Sequence, residues 1–169
     1  MTLDQLNQLD PRAFVATLGG IYEHSPWVAE GAWGRRPFAS VDALHAAMSA
    51  AVAEAGEAQQ LALIRAHPEL AGKAMVRNEM TADSTSEQSG AGLTQCTPEE
   101  LARLNDLNTR YNAKFGFPFI LAVKGYDRGG VIAEFARRLD NDRATEFAGS
   151  LRQIDRIAGL RLGALFASP

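Results

Sequence analysis

The residues of this 169-residue chain that could do chemistry are concentrated around one histidine. His67 stands directly before Pro68, and a polar span, 83–88, follows within one loop and reads Asp-Ser-Thr-Ser-Glu-Gln. Because proline disfavours helical geometry at the residue before it, we expect His67 to lie at a helix end, where its ring can face a cleft. An imidazole titrates near pH ~6.5 and can hold or give a proton at cellular pH. A lone helix-end histidine is more often structural, so a catalytic hypothesis depends on the residues that accompany it.

A second candidate lies near the end of the chain, where an arginine interrupts an apolar stripe. Apolar residues recur at alternating spacings of four and three between Phe147 and Leu165, which predicts an amphipathic helix from about Asp142. Arg161 lies on that stripe. Because an unpaired buried charge is costly, its guanidinium must find an anion or several acceptors. The pattern leaves open an ion pair with an internal glutamate, a side chain that reaches solvent at the stripe edge, and a substrate anion.

Other chemistries find little support in the sequence. His24, His45 and His67 have no His or Cys partner at zinc-like spacing, so no metal site is predicted. Cys96 is the only cysteine, which excludes an internal disulfide and fits a reducing compartment, and it is a weak candidate nucleophile. The glycines at 90, 92, 129 and 130 lack the lysine of a phosphate loop, so nucleotide binding is not predicted. No Gly-x-Ser-x-Gly motif occurs, which argues against a common serine hydrolase.

The composition is that of a globular protein. Hydrophobic residues make up 46% and charged residues 22% of the chain, near the usual averages, and the length suits a single core, so we predict one domain over residues 1–169. A net charge of −3 argues against a nucleic-acid partner. The amino terminus shows no secretory signal, and no apolar stretch approaches the ~20 residues of a spanning helix. We therefore expect a soluble, cytoplasmic protein without a membrane partner.

Helix start and stop signals recur along the chain. Asp10-Pro11 and Ser40 can each begin a helix, and Thr97-Pro98-Glu99-Glu100 combines a cap, a first-turn proline and a capping box. The helices predicted before the final one cover residues 11 to about 18, 41–55, 57–66 and 98 to about 115. Residues 76–95 lack an apolar period and are typical of a surface loop. The apolar run 117–125 has no convincing partner strand, so we interpret it as an extended, buried connector. The predicted fold is all-α, a single-domain helical bundle of roughly eight helices with one irregular apolar connector.

Four motifs taken together resemble the OHCU decarboxylase family, whose substrate is 2-oxo-4-hydroxy-4-carboxy-5-ureidoimidazoline. They are His67-Pro68-Glu69-Leu70, the span 84–88, the run 115–120 (Phe-Gly-Phe-Pro-Phe-Ile) and Arg161, and they occur in order over nearly the whole chain. The resemblance implies an all-α homodimeric carboxy-lyase that forms (S)-allantoin in the route from urate. It also implies a small ureide substrate and a site that needs no cofactor and no metal.

The resemblance also assigns roles to individual residues. His67 matches the catalytic histidine and is expected to act as general acid, and Glu87 is expected to set the protonation state of the imidazole or to accept N–H groups of the ureido and ring amides. The expected substrate-binding residues are Pro68, Ser84, Thr85, Ser86, Gln88, Phe119, Ile120, Leu121, Ala122, Val123 and Arg161.

Two alternatives stay open from the residues alone. A different enzyme of ureide or purine breakdown, such as an amidohydrolase, could use the same polar set, although hydrolysis normally needs a water activated by a metal or a base. A non-catalytic helical binding module is the other alternative. In that case the span 84–88 is an interaction loop, Arg161 is a structural ion-pair partner, and no turnover occurs.

Overall fold

The computed structural model describes residues 1–167, without the side chain of Ala74, and no strand occurs among them. This confirms the predicted all-α class. No helix in this part of the chain is long and apolar enough to cross a membrane. The helices are α1 (Leu3–Asn7), α2 (Pro11–Leu18), α3 (Trp27–Trp33), α4 (Val41–Glu54), α5 (Glu57–Ala66), α6 (Lys73–Val76), α7 (Ala82–Gly90), α8 (Pro98–Phe115), α9 (Arg128–Leu139) and α10 (Arg143–Phe166), with a short 3-10 helix at Leu93–Gln95 between α7 and α8.

The chain divides into two compact units. Residues 1–66 and the segment from Ile154 onward form the first unit, and residues 67–153 form the second. Helix α10 contributes to both, because the division falls between Gln153 and Ile154. The single-domain organisation of residues 1–169 stays a prediction.

Two helices of the first unit begin with the caps that the sequence predicted. Asp10 accepts a hydrogen bond from the backbone N–H of Ala13 at 2.8 Å, directly before the proline that begins α2. Ser40 caps α4 in the same way. The core side of α2 carries Phe14, which is fully buried and packs edge-on against Trp33 with ring centroids 5.4 Å apart.

The second unit has an aromatic core around Tyr111 of α8. The rings of Phe115, Phe117, Phe119 and Phe135 all lie within 6.1 Å of the Tyr111 ring, centroid to centroid. Phe119 and Phe135 stack on each other at 3.9 Å. Such ring pairs stabilise a core beyond the apolar area that they bury. This core joins α8, α9 and the connector.

Helix α8 begins and ends where the sequence predicted. Thr97 and Glu100 form a complete capping box, and Pro98 occupies the first helical position. Gly116 ends the helix with a φ of 77°, a left-handed conformation that glycine adopts without a steric penalty. Because both ends of α8 are fixed, the residues that face the core of the unit are fixed as well.

The loop predicted over residues 76–95 was wrong for residues 82–90, which form α7. Thr81 caps this helix by accepting from the backbone N–H of Ser84, and the Thr85 hydroxyl donates to the Thr81 carbonyl at 2.9 Å. No apolar stripe marks the helix, because its buried face is polar and includes Ser84 and Gln88. This helix packs on the rest of the unit through side-chain hydrogen bonds, which do not produce the apolar periodicity by which a helix is recognised in a sequence.

Residues 117–123 of the connector predicted over 117–125 are buried and irregular, as predicted, whereas Lys124 and Gly125 are exposed. Buried backbone polar groups need partners, and here two side chains supply them. The Arg138 guanidinium donates to the carbonyl of Ile120 at 2.6 Å, and the Gln153 side chain accepts from the N–H of Ala122 at 3.0 Å.

Arg138, which bonds to the connector, belongs to a buried charge pair. Arg138 and Glu146 are 4% and 1% exposed, and Nε of Arg138 donates to Oε1 of Glu146 at 2.9 Å. Tyr111 donates to the same oxygen at 2.6 Å, and Asn141 donates to Oε2 at 2.9 Å. Burial, followed by the hydrogen bond to Glu146, raises the pKa of the Tyr111 phenol well above its ordinary value, so it remains a donor. The carboxylate thus has partners on both oxygens.

We expect Glu146→Gln to destabilise the protein by about 3–5 kcal/mol, because it leaves the Arg138 charge buried without its counter-charge. The free energy of unfolding from urea titration at neutral pH measures this. Glu134→Gln is the control, since Glu134 pairs with the largely exposed Arg137 and should change the unfolding free energy far less. Equal effects of the two variants would contradict the role given to the buried pair.

Candidate active site

His67 lies immediately after the last residue of α5, as the following proline predicted. It is 7% exposed, while Pro68 and Glu69 after it are half-buried. A buried imidazole at a chain turn is held far more tightly than one on the surface. The residues that hold this turn therefore decide where the ring points.

The chain bends sharply after His67. Ala71 has a φ of 51°, a left-handed conformation that non-glycine residues seldom adopt and that must be held by its surroundings. At Gly72 the backbone passes so close to Glu69 that a Cβ atom would lie 2.6 Å from the Glu69 Cβ. Glycine at this position allows the close approach.

Three amide side chains hold this bend, and we call Gln88, Asn108 and Asn112 the amide clamp. Gln88 accepts from the N–H of Ala71 at 2.9 Å and donates to the carbonyl of Glu69 at 3.2 Å. Asn108 donates to the carbonyl of Leu70 at 2.9 Å, and Asn112 donates to the Glu69 carboxylate at 2.7 Å. Helices α7 and α8 thus both fix the segment that follows His67.

One face of α7 carries three of the predicted site residues. Ser84, Glu87 and Gln88 share a face because residues three and four apart on a helix are neighbours. Ser84 and Gln88 are buried and Glu87 is half-buried. Ser86 is exposed on the other side, and the Thr85 hydroxyl is already bonded to Thr81. Substrate contact by Thr85 and Ser86 stays a prediction.

The connector residues Phe119–Val123 are all buried. The Ile120 carbonyl and the Ala122 N–H are engaged by protein side chains, as described above. Phe119 packs under the Arg138 guanidinium, whose central carbon lies 4.4 Å from the ring centroid. The segment is therefore firmly placed, and its predicted contact with substrate stays a prediction.

Arg161 belongs to the first unit, where it is 7% exposed. Its Nη1 donates to Oε2 of Glu23 at 2.8 Å and lies 3.3 Å and 3.4 Å from the carbonyl oxygens of Gly20 and Ile21. An internal glutamate is one of the partners that the sequence left open. A role of Arg161 in binding substrate stays a prediction.

Within residues 1–167 the structure bears on two further candidates, a metal site and the Cys96 thiol. No group of three or more His, Cys, Asp or Glu side chains there could hold a metal ion. The expectation of a metal-free and cofactor-free site is untested by this and stays a prediction. The Cys96 thiol donates to the carbonyl of Leu93 at 3.3 Å, and burial together with the charge of Glu100 raises its pKa, while Arg128 opposes that shift.

Residues 7–163 match the family model described as OHCU decarboxylase. The chain belongs to the OHCU decarboxylase family. A similar member is the 2-oxo-4-hydroxy-4-carboxy-5-ureidoimidazoline decarboxylase of Haloferax volcanii, which is 45% identical over 99% of this chain and 98% of that protein. The decarboxylase of the same name from Xenopus laevis is 34% identical over 98% of this chain and 95% of its own length. This decarboxylase is therefore an enzyme of the carboxy-lyase class.

Similar proteins also include a longer, bifunctional protein and two solved structures. The uric acid degradation bifunctional protein PucL of Bacillus subtilis is 43% identical over 95% of the decarboxylase chain and 32% of its own length. A crystal structure of (S)-allantoin synthase has a TM-score of 0.80 and 32% identity, and covers 98% of this chain and 54% of that one. A crystal structure of OHCU decarboxylase in the presence of (S)-allantoin has a TM-score of 0.71, 21% identity and coverage of 95% and 100%, which shows a shared fold.

Sequence reasoning missed Asn108 and Asn112 of the amide clamp. Neither belongs to a recognisable motif, and asparagine in a helix is ordinarily solvated. A usable signal was present at Asn108, because it lies one residue after Leu107 and four after Leu104 on the apolar face of α8. A polar residue on such a face requires a specific partner.

We expect Gly72→Ala to destabilise the decarboxylase by about 1–3 kcal/mol, because the added methyl group collides with the Glu69 side chain. Urea unfolding measures the change. Gly163→Ala is the control, since a Cβ added there meets nothing within 4 Å and alanine favours a helix. A Gly72→Ala variant as stable as Gly163→Ala would contradict the close approach.

We expect Cys96 to react slowly with iodoacetamide at neutral pH. Its raised pKa lowers the thiolate fraction, so the rate should reach its midpoint at higher pH than for a free cysteine. Glu100→Gln should move that midpoint down because it removes a negative charge near the thiol while preserving the capping box. The matched control is Glu99→Gln on an exposed neighbour. A midpoint at or below that of free cysteine would contradict the assignment.

Proposed function

We propose that this decarboxylase converts 2-oxo-4-hydroxy-4-carboxy-5-ureidoimidazoline to (S)-allantoin in urate degradation, without a cofactor and with His67 as the proton donor. Membership of the OHCU decarboxylase family supports the reaction and its place in urate breakdown. One observation about the site carries the proposal for His67. It is buried, and the chain directly after it is fixed by amide groups from two helices.

The substrate explains why so few protein groups are needed. Decarboxylation leaves an electron pair on carbon, and most enzymes bind a cofactor to accept it. In this substrate the carboxylate is attached next to the C=N bond of the ring, so the electrons of the breaking C–C bond can enter that unit as carbon dioxide leaves. The protein must orient that bond, exclude competing protonation and deliver one proton to one face of the ring.

His67 has the properties that this proton transfer requires. Histidine is the side chain whose ordinary pKa lies closest to neutral pH, and positioned general acids contribute large rate factors. We propose that Glu87 orients the ring and sets its protonation state. Support comes from the shared face of α7, where Gln88 contacts the segment after His67 and Glu87 is the adjacent residue. Only a donor held on one side of the substrate gives a single enantiomer.

The proposed substrate set follows the family resemblance. Ser84 can donate or accept hydrogen bonds to ureido and ring amides, and Pro68 is included as the residue directly after His67. Gln88 belongs to the set by the same resemblance, while its amide also holds residues 69–71. The Arg161 guanidinium is a planar donor suited to a carboxylate or a pair of carbonyl groups, and its bond to Glu23 orients it. The set also includes Thr85, Ser86 and the connector residues Phe119–Val123.

We further propose that the enzyme acts in the cytoplasm as a homodimer. The cytoplasmic location follows the expectation from the sequence, and the homodimer rests on the family resemblance. The molar mass in solution, from light scattering during size-exclusion chromatography, tests the second of them.

We expect His67→Asn to lower the rate of (S)-allantoin formation by at least about a hundredfold, because the general acid is lost. The substrate is generated fresh from urate by the enzymes that precede this step, and circular dichroism follows the optical activity of the product. Only the slow, racemic spontaneous decay should remain, while the melting temperature stays near that of the native protein.

His24→Asn is the matched control for this experiment. His24 is exposed and has a φ of 46°, a conformation that asparagine tolerates well, so this variant should keep the native rate. Near-native turnover by His67→Asn would refute the role of His67. A native protein that leaves the racemic decay unchanged would refute the proposed reaction itself.

A further inference from the structure

Two asparagines on α8 stand out because of where they lie. Asn108 and Asn112 are one turn apart on a helix whose inward residues are otherwise apolar or aromatic: Leu104, Leu107, Tyr111 and Phe115. Asn108 is only 3% exposed. A buried amide is unfavourable unless its groups are hydrogen-bonded, so a purely structural core would use an apolar side chain at this position.

The bonds that these asparagines make all lead to the segment after His67 or to each other. Nδ2 of Asn108 donates to the Leu70 carbonyl at 2.9 Å, while its Oδ1 accepts no hydrogen bond among the residues described. Nδ2 of Asn112 donates to Oε1 of Glu69 at 2.7 Å and to the Asn108 carbonyl at 2.9 Å. The side chain of Asn108 thus fixes the position of the Leu70 carbonyl.

The covalent path from these bonds to His67 is short and stiff. Only Pro68 separates His67 from Glu69, and the proline ring fixes its own φ near −65°. Glu69 is held twice, at its carbonyl by Gln88 and at its carboxylate by Asn112. Little rotational freedom then remains between the held residues and the backbone that carries the imidazole.

We propose that Asn108 and Asn112 are positioning residues for His67, acting through the Leu70 carbonyl and the Glu69 carboxylate. This inference rests on the proposed function, since the position of His67 affects turnover only if His67 delivers the proton. Misplacing a catalytic group by a fraction of an ångström lowers the rate of the chemical step more than it weakens binding. The asparagines should therefore act on kcat and leave KM nearly unchanged.

The first experiment measures kcat and KM for Asn112→Ala and Asn105→Ala. Both variants replace asparagine by alanine on α8, so both gain the same helix propensity, but Asn105 is exposed. We expect Asn112→Ala to lower kcat by about tenfold with KM within about twofold. Asn105→Ala should behave as the native protein, and Asn112→Ala should remain folded at the assay temperature although the loss of its bond to Glu69 lowers its melting temperature. Equal kcat values for the two variants would overturn the role of Asn112.

The second experiment tests whether Asn112 acts through Glu69. Glu69→Ala should reproduce the loss in kcat, and the Glu69→Ala, Asn112→Ala double variant should be no slower than either single variant, because both remove the same bond. Glu69→Gln should retain most of the native kcat, since the glutamine side chain keeps an oxygen that can accept from Asn112. Additive losses, or a Glu69→Gln variant as slow as Glu69→Ala, would overturn this path.

The third experiment does not depend on turnover. Nitrogen-15 spectra of the three histidine rings, with the His67 signals assigned by their loss in His67→Asn, report ring environment and titration directly. We expect the His67 signals to move in Asn112→Ala and in Asn108→Leu while those of His24 and His45 stay in place. If Asn108→Leu does not fold, the Asn112 and Glu69 variants decide. Unmoved His67 signals would overturn the inference, whereas moved signals in a protein without turnover would support it and refute only the proposed reaction.

Discussion

Burial of Arg138 and Glu146 is unfavourable unless each charge finds several partners, and residues 67–153 are arranged to supply them. Tyr111 from α8 and Asn141 after α9 donate to the carboxylate, and the Ile120 carbonyl accepts from the guanidinium. The pair therefore joins α8, α9 and α10 to the connector. The Ile120 carbonyl bonds to Arg138, and the apolar connector is irregular because the described residues offer it no partner strand.

The parts of this fold that could be predicted from sequence are those determined by local chemistry. Pro68 places His67 at a helix end whatever surrounds it, because the restriction acts on the preceding residue. Thr97 and Glu100 begin α8 through bonds made within one turn, and Gly116 ends it. The connector was recognised because an apolar run without a partner strand must still be buried. In each case the residues that decide the structure are neighbours in the chain.

The parts that could not be predicted depend on residues far apart in sequence. Helix α7 has no apolar stripe, and its buried face is explained only by the bonds of Gln88 to residues 69–71. The partner of Arg161 is Glu23, 138 positions away, and no pattern distinguishes it from other acidic residues. Asn108 is likewise explained only by the Leu70 carbonyl that it reaches. Polar pairs between residues far apart in the chain produce no periodic pattern in the sequence. Much of the site could therefore be identified only from the structure.

Helix α7 has consequences for how this region gains and loses order. A polar helix of nine residues is too short to be stable in isolation, and the left-handed backbone at Ala71 is also unfavourable without support. The Gln88 side chain joins the two, so each supplies the bond that the other requires. The two segments therefore constitute one cooperative opening unit, in the sense used for amide hydrogen exchange. When α7 melts, the bend after His67 loses both bonds from Gln88 and keeps only those from Asn108 and Asn112, so the bend should lose order together with α7.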